Sequence, residues 1–174
     1  MTLANTTHNR VINHVAVHVP DLEAAVDWYT KLFGFQRINS APITCDRSTS
    51  SENSIFRLYG TKLHKVKIAF LSAGNGVGFE LFQFIDPPMT ERADFEKDYP
   101  RGGFFHIAVT DPDPEALLAK VIQEGGKQIG ETQEVPDPNS GEGVSQHTLY
   151  SQDPWGNVVE ICSCSFEKLL GNRW

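Results

Sequence analysis

An α+β fold made of two tandem βαβββ modules is what this sequence predicts, and three observations carry the prediction. The octamer HVAVHVPD at residues 14–21 returns 92 positions later as HIAVTDPD at 106–113. Sliding residues 14–24 onto 106–116 matches seven of eleven positions, and at the same offset Gly34 falls on Gly126. Repetition at one offset marks duplicated units. Each octamer is followed first by an apolar period of three and four residues, then by three short stretches of strand character.

The opening strand of the first unit alternates Val11, Val15, Val17 and Val19 with Ile12, His14, Ala16 and His18. The pleat therefore sets the valines on one face and both histidines on the other. In the second unit Phe105, Ile107 and Val109 oppose Phe104, His106, Ala108 and Thr110, which again puts the histidine opposite the aliphatic face. Pro20-Asp21 and Pro112-Asp113 supply turn and N-cap chemistry for a helix. Leu22, Ala25, Val26, Tyr29, Leu32 and Phe33 then recur at helical spacing up to Gly34. Leu117, Leu118, Val121 and Ile122 do the same before Gly125-Gly126, where a left-handed helix end favours glycine. Strands are predicted near 35–40, 65–72 and 77–84, and near 127–134, 145–152 and 157–163. The last hairpin turns on Asp153-Pro154-Trp155-Gly156-Asn157, a cluster of turn formers.

The modules accordingly span 11–85 and 103–164, with a C-terminal tail at 165–174. Three stretches fall outside the repeat: a polar insertion over 42–60 that begins PITCDRSTSSENS, a linker over 86–102, and the Pro/Gly-rich loop VPDPNSGEGVS at 135–145. Long loops in compact domains tend to serve as lids, so 135–145 and part of 42–60 are expected to border a site.

Composition narrows the partners. At 174 residues and 40% hydrophobic, the chain can bury a core of single-domain size. A formal charge of -7, from 22 acidic and 15 basic residues with no run of Lys or Arg, predicts no nucleic-acid partner. No stretch approaches the roughly 18 apolar residues needed to span a bilayer, so no membrane partner is expected. The opening MTLANTTHNR lacks the apolar core of a secretory signal, which predicts a cytoplasmic protein. Cys45, Cys162 and Cys164 lack the C-x-x-C spacing of a structural zinc site and are expected as thiols that pack or face a cavity.

Chemistry is expected on the histidine face. The final strands read Gly78-Phe79-Glu80-Leu81-Phe82 and Val158-Val159-Glu160-Ile161-Cys162, each with one glutamate between apolar residues. Such a carboxylate is costly to bury unless it is paired or bound to a cation. Alone, any of these residues reads as a structural or surface group. Matched by the repeat, His14, Glu80, His106 and Glu160 read as the ligands of one ion, brought together if an approximate twofold relates the units. His18 shares the His14 face and is a candidate wall residue. Phe82 and Phe104 share the metal face of their strands, as core or as substrate clamp. His147 and Tyr150 have opposite parity, so a regular strand turns only one of them inward. Arg57, near the insertion, is a candidate anion holder.

On HVAVHVPDLEAAVDWYTKLFGF, GFELF, HIAVTDPDPEALL and DPWGNVVEI, the chain resembles the vicinal oxygen chelate superfamily. That superfamily includes glyoxalase I, methylmalonyl-CoA epimerase, extradiol dioxygenases, and fosfomycin and bleomycin resistance proteins. The resemblance covers about residues 11–164 and implies a glyoxalase-like open cup around one divalent ion, ligated by His14, Glu80, His106 and Glu160. Zn, Ni, Co, Mn and Fe(II) all suit two imidazoles and two carboxylates. A homodimer is common in relatives.

Function follows from the resemblance as a set of expectations. The leading one is a metal-dependent lyase or isomerase, like glyoxalase I or an epimerase. Its ion chelates vicinal oxygens of a small-molecule substrate, while Glu160 is the general base, with Glu80 as its partner, for a proton next to a carbonyl. Two departures from glyoxalase I are His18 and Phe84, where that enzyme typically has Arg and Asn. Methylmalonyl-CoA epimerase usually has Gln at the place of Glu80. One alternative is an Fe(II) extradiol-type dioxygenase using His14, His106 and Glu160 as a facial triad, with Tyr150 at the spacing of a tyrosine in those enzymes. The other is a small-molecule binding or resistance protein that performs no turnover and holds no metal.

Overall fold

The computed structural model describes residues 10–90, 94–136 and 145–170, and the chain divides into two compact units, Met1–Met89 and Thr90–Trp174. Each unit is an α+β sheet with one principal helix on one face. Among the described residues no helix is long and apolar enough to cross a membrane.

In the first unit, β1 (His14–His18) leads through the Pro20-Asp21 turn into α1 (Leu22–Phe33), whose first turn is capped by Asp21 Oδ1 accepting from the Ala24 amide at 3.1 Å. The other strands are β2 (Gln36–Arg37), β3 (Ile43–Asp46), β4 (Lys65–Ser72) and β5 (Gly78–Asp86). The sheet order is β1-β5-β4-β2, with β3 also on β4; β1 and β5 run parallel, and the other pairs are antiparallel. Leu22, Ala25, Val26 and Tyr29 of α1 are buried, as are Phe35, Leu71, Phe79 and Leu81. Tyr29 lies 4.7 Å from Phe79 and stacks on Phe35 at 6.0 Å, ring centroid to centroid. Burying each such side chain contributes about 1.5–3 kcal/mol, so the helix is held by its apolar face more than by propensity.

The stretch over 42–60 is not the polar loop its composition predicts. It supplies β3, then α2 (Ser54–Tyr59), followed by a 3-10 turn at Gly60–Lys62. Ile55, Phe56 and Leu63 form a second core with Cys45, Val66, Ile68 and Phe82. Arg47 holds it closed: its side chain donates to Leu63 O at 2.8 Å and Gly60 O at 2.5 Å, and its guanidinium lies 4.4 Å from the Phe56 ring centroid. Ile55 and Phe56 follow a polar run rich in Ser, Thr and Asn, which hides them in the composition. By contrast, the strand expected over 35–40 shrinks to two residues, and Val11 and Ile12 precede β1 and are exposed.

The second unit has β6 (Ile107–Thr110), α4 (Pro114–Gln123), β7 (Lys127–Pro136), β8 (Ser145–Gln152) and β9 (Val158–Cys162), in sheet order β6-β9-β8-β7. Asp113 caps α4 through the Ala116 amide at 3.0 Å. A short α3 (Phe95–Asp98) occupies part of the stretch expected as a linker, and α5 (Phe166–Leu170) forms in the tail. Gly126 allows the return from α4: a Cβ there would sit 2.6 Å from Val121 Cγ1 and 2.7 Å from Gln152 O. In the 153–157 hairpin the buried Asp153 accepts from the amides of Trp155 (2.9 Å) and Asn157 (2.7 Å) and from Asn157 Nδ2 (2.8 Å). Of the loop over 135–145, residues 137–144 lie outside the described residues.

Candidate functional site: a His–Glu pair in each unit

The parallel register of β1 and β5 sets Ala16 opposite Glu80, with His14, Ala16, His18, Glu80 and Phe82 on one face. His14 Nε2 lies 3.8 Å from Glu80 Oε2. The other ring nitrogen, Nδ1, is 2.8 Å from Asn13 Oδ1, an atom that can only accept, so Nδ1 carries the hydrogen. Nε2 is the ring nitrogen left facing the carboxylate. Gly78 makes room, because a Cβ there would stand 3.0 Å from His14 Cβ.

The second unit repeats the arrangement. The β6–β9 register sets Ala108 opposite Glu160, and His106 Nε2 lies 3.3 Å from Glu160 Oε2. His106 Nδ1 is buried without a hydrogen-bond partner among the described residues. Thr148 donates to Glu160 Oε1 at 2.5 Å, and the Tyr150 ring lies 5.2 Å from the His106 ring. Burial, followed by the charges of Glu160 and Cys162, pushes the Tyr150 hydroxyl above its ordinary value, so it stays protonated and able to donate. Burial likewise raises the Cys162 thiol.

The remaining candidates sort by face. His18 is on the His14 face, in edge contact with Phe84 at 5.0 Å, and partial burial lowers its pKa. Phe84 also touches Tyr59 of α2 at 5.7 Å. Phe82 is on the same face and buried in the second core, against Ile55 and Phe56 of the 42–60 segment. Arg57 is exposed on α2. Two expectations need correction. Phe104 is fully exposed and lies ahead of β6, which begins only at Ile107 where its pairing with Val159 starts. His147 turns away from Glu160: its Nδ1 meets Glu115 Oε1 of α4 at 2.6 Å, and Tyr150 is the inward residue. Counting back from Gln152↔Val158 across the hairpin reaches Tyr150↔Glu160, a signal present in the sequence. Thr148 and Asn13 were missed, since neither stands out by type or spacing.

The donor set of imidazole nitrogens and carboxylate oxygens, with the His14 ring oriented by Asn13, fits a divalent ion. Each pair lies within its own unit, and among the described residues no group of three or more His, Cys, Asp or Glu side chains is gathered to hold a metal ion.

A βαβββ unit present twice, with β3 and α2 added in the first copy and a His–Glu pair on each sheet, defines the class, and the chain belongs to the Glyoxalase/Bleomycin resistance protein/Dioxygenase superfamily, whose model matches residues 11–161. It is 26% identical over 153 residues to a 2-epi-5-epi-valiolone epimerase from an Actinomyces species, covering 86% of this chain and 77% of the relative. Among solved structures it is similar to a glyoxalase family protein from Bacillus cereus, with a TM-score of 0.69 and 18% identity, covering 91% of this chain and 97% of that one. It is also similar to a variant of the Listeria monocytogenes fosfomycin resistance protein FosX, solved with Mn(II) and 1S,2S-dihydroxypropylphosphonic acid. There the TM-score is 0.54 and the identity 14%, covering 94% of this chain and 98% of that one.

Proposed function

We propose that the chain is a metal-dependent isomerase that inverts a stereocentre next to a carbonyl in a small, oxygen-rich substrate, and that His14, Glu80, His106 and Glu160 hold its one divalent ion. The observation that carries this is the facing of His14 Nε2 and the Glu80 carboxylate at 3.8 Å, repeated by His106 and Glu160 at 3.3 Å on the equivalent strands of the second unit. The likeness to an epimerase favours stereocentre inversion over other chemistries of the superfamily. Its substrate name ends in that of a ketone, whose neighbouring C–H bonds are the acidic ones.

A bound divalent ion would supply charge stabilisation at adjacent substrate oxygens. Glu160 takes the proton from the carbon next to the carbonyl, and the bonding pair moves onto the carbonyl oxygen. Glu80 serves as the second acid–base group and returns a proton to that carbon. Tyr150, kept protonated, donates a hydrogen bond to the substrate beside His106.

The test is to incubate the purified chain, loaded in turn with Zn, Ni, Co, Mn or Fe(II), with 2-epi-5-epi-valiolone in D2O, following deuterium uptake and epimer formation by NMR. Metal-dependent exchange supports the reading. Absence of bound metal after purification, with no exchange on adding it, leaves a binding protein. A second reading, Fe(II) dioxygenase, has one observation in its favour, the Tyr150 ring beside His106. Oxygen uptake with catechols under Fe(II) would select it.

A further inference from the structure

The two glutamates stand in unlike surroundings. Cross-strand partners share a face, so the registers list the neighbours of each carboxylate. In the first unit Phe70 is opposite Glu80 and Ile68 is opposite Phe82. In the second, Tyr150 is opposite Glu160 and Thr148 is opposite Cys162. Superposing the patterns equates Ile68 with Thr148, Phe70 with Tyr150, and Phe82 with Cys162. Three purely apolar neighbours in one unit are two hydroxyls and a thiol in the other.

Two members of that set bond to the carboxylate, the Cys162 thiol and, at short range, Thr148. The Thr148 hydroxyl donates to Glu160 Oε1 at 2.5 Å, while Glu160 Oε2 is the oxygen facing His106 at 3.3 Å. The same hydroxyl lies 3.5 Å from Cys162 Sγ, and Cys162 is packed beneath Leu169 of α5. Ile68, at the corresponding place, offers no hydroxyl to Glu80.

We infer that Thr148 is a positioning residue for Glu160: it fixes Oε1 and so directs Oε2 toward the ion and substrate, a restraint that Glu80 lacks. Chemistry and walls are then divided between the units. The second unit presents a fixed carboxylate among polar groups, and the first a freer carboxylate in an apolar setting. A fixed orientation limits the rotations Glu160 would otherwise lose on binding an ion, and losing an outer partner of a ligand lowers metal affinity by about 10–100-fold.

For its first readout the inference rests on the metal-dependent reading above. The full chain is titrated with Mn(II), and free ion is followed by electron paramagnetic resonance. Thr148→Val, which keeps the β-branched shape, is expected to weaken Mn(II) binding by about tenfold or more, and Thr148→Ser to restore it to within about threefold. The thermal midpoint of each variant is measured alongside. Unchanged affinity in a folded Thr148→Val overturns the inference. If the native chain binds neither Mn(II) nor Zn, Ni, Co or Fe(II), the metal reading fails, and a crystal structure of Thr148→Val decides the inference alone. A Glu160 carboxylate within about 0.5 Å of its native place overturns it, and a rotated one supports it.

Discussion

Asn13 orients His14: its Oδ1 accepts from Nδ1 at 2.8 Å, which leaves Nε2 as the ring nitrogen aimed at Glu80. Removing the imidazole removes a ligand, so His14→Ala and His106→Ala are expected to lose divalent-ion binding in equilibrium dialysis. Asn13→Ala keeps the ligand and frees its orientation; its affinity is expected to fall by about tenfold. Native affinity in Asn13→Ala would mean that the ring is oriented some other way.

Glu160→Gln keeps the size of the side chain and an oxygen, but not the base. The expected result is a folded protein that retains most of its metal, with turnover reduced about 100- to 10,000-fold. Full activity in this variant would move the base elsewhere, with Glu80→Gln the next measurement.

The Asp153 hairpin is a stability element that serves β9. Its buried carboxylate satisfies two backbone amides and the Asn157 side chain. Asp153→Ala leaves those donors unpaired and is expected to cost about 2 kcal/mol, a fall in Tm of about 4–8 °C by calorimetry. An unchanged Tm would show that water replaces the carboxylate at no cost.

Asp46 anchors the start of the segment over 42–60. Hydrogen bonds from the Ser48 side chain and then from Lys65 hold its carboxyl down, at about 2, against an ordinary 3.8. A depressed carboxyl stabilises the folded state above its unfolded value, and that contribution is lost as pH falls toward the folded one. The stability difference between the native chain and Asp46→Asn, from urea titrations, is therefore expected to be constant above about pH 5 and to shrink between about pH 4 and pH 2. A difference that grows over that window would contradict the assignment.

Strand parity is local, which is why the repeat exposed the faces of His14, Glu80, His106 and Glu160 with no knowledge of pairing. What depends on register was harder to read: Thr148 looks like an ordinary strand former until β8 is aligned on β9. The choice between His147 and Tyr150 turned on the same alignment. Phe104 had the right parity, but its strand stops short because its partner does. The segment over 42–60 was opaque because three residues, Cys45, Ile55 and Phe56, carry its packing within a polar background.

In each unit the first strand pairs with the last: β1 with β5, and β6 with β9. A ribosome delivers His14 long before it delivers Glu80, and closure of such distant segments is slow compared with hairpin formation. Each His–Glu pair therefore needs both ends of its unit in place. On the proposed reading, a chain cut short of either closing strand would lack a carboxylate and hold no ion.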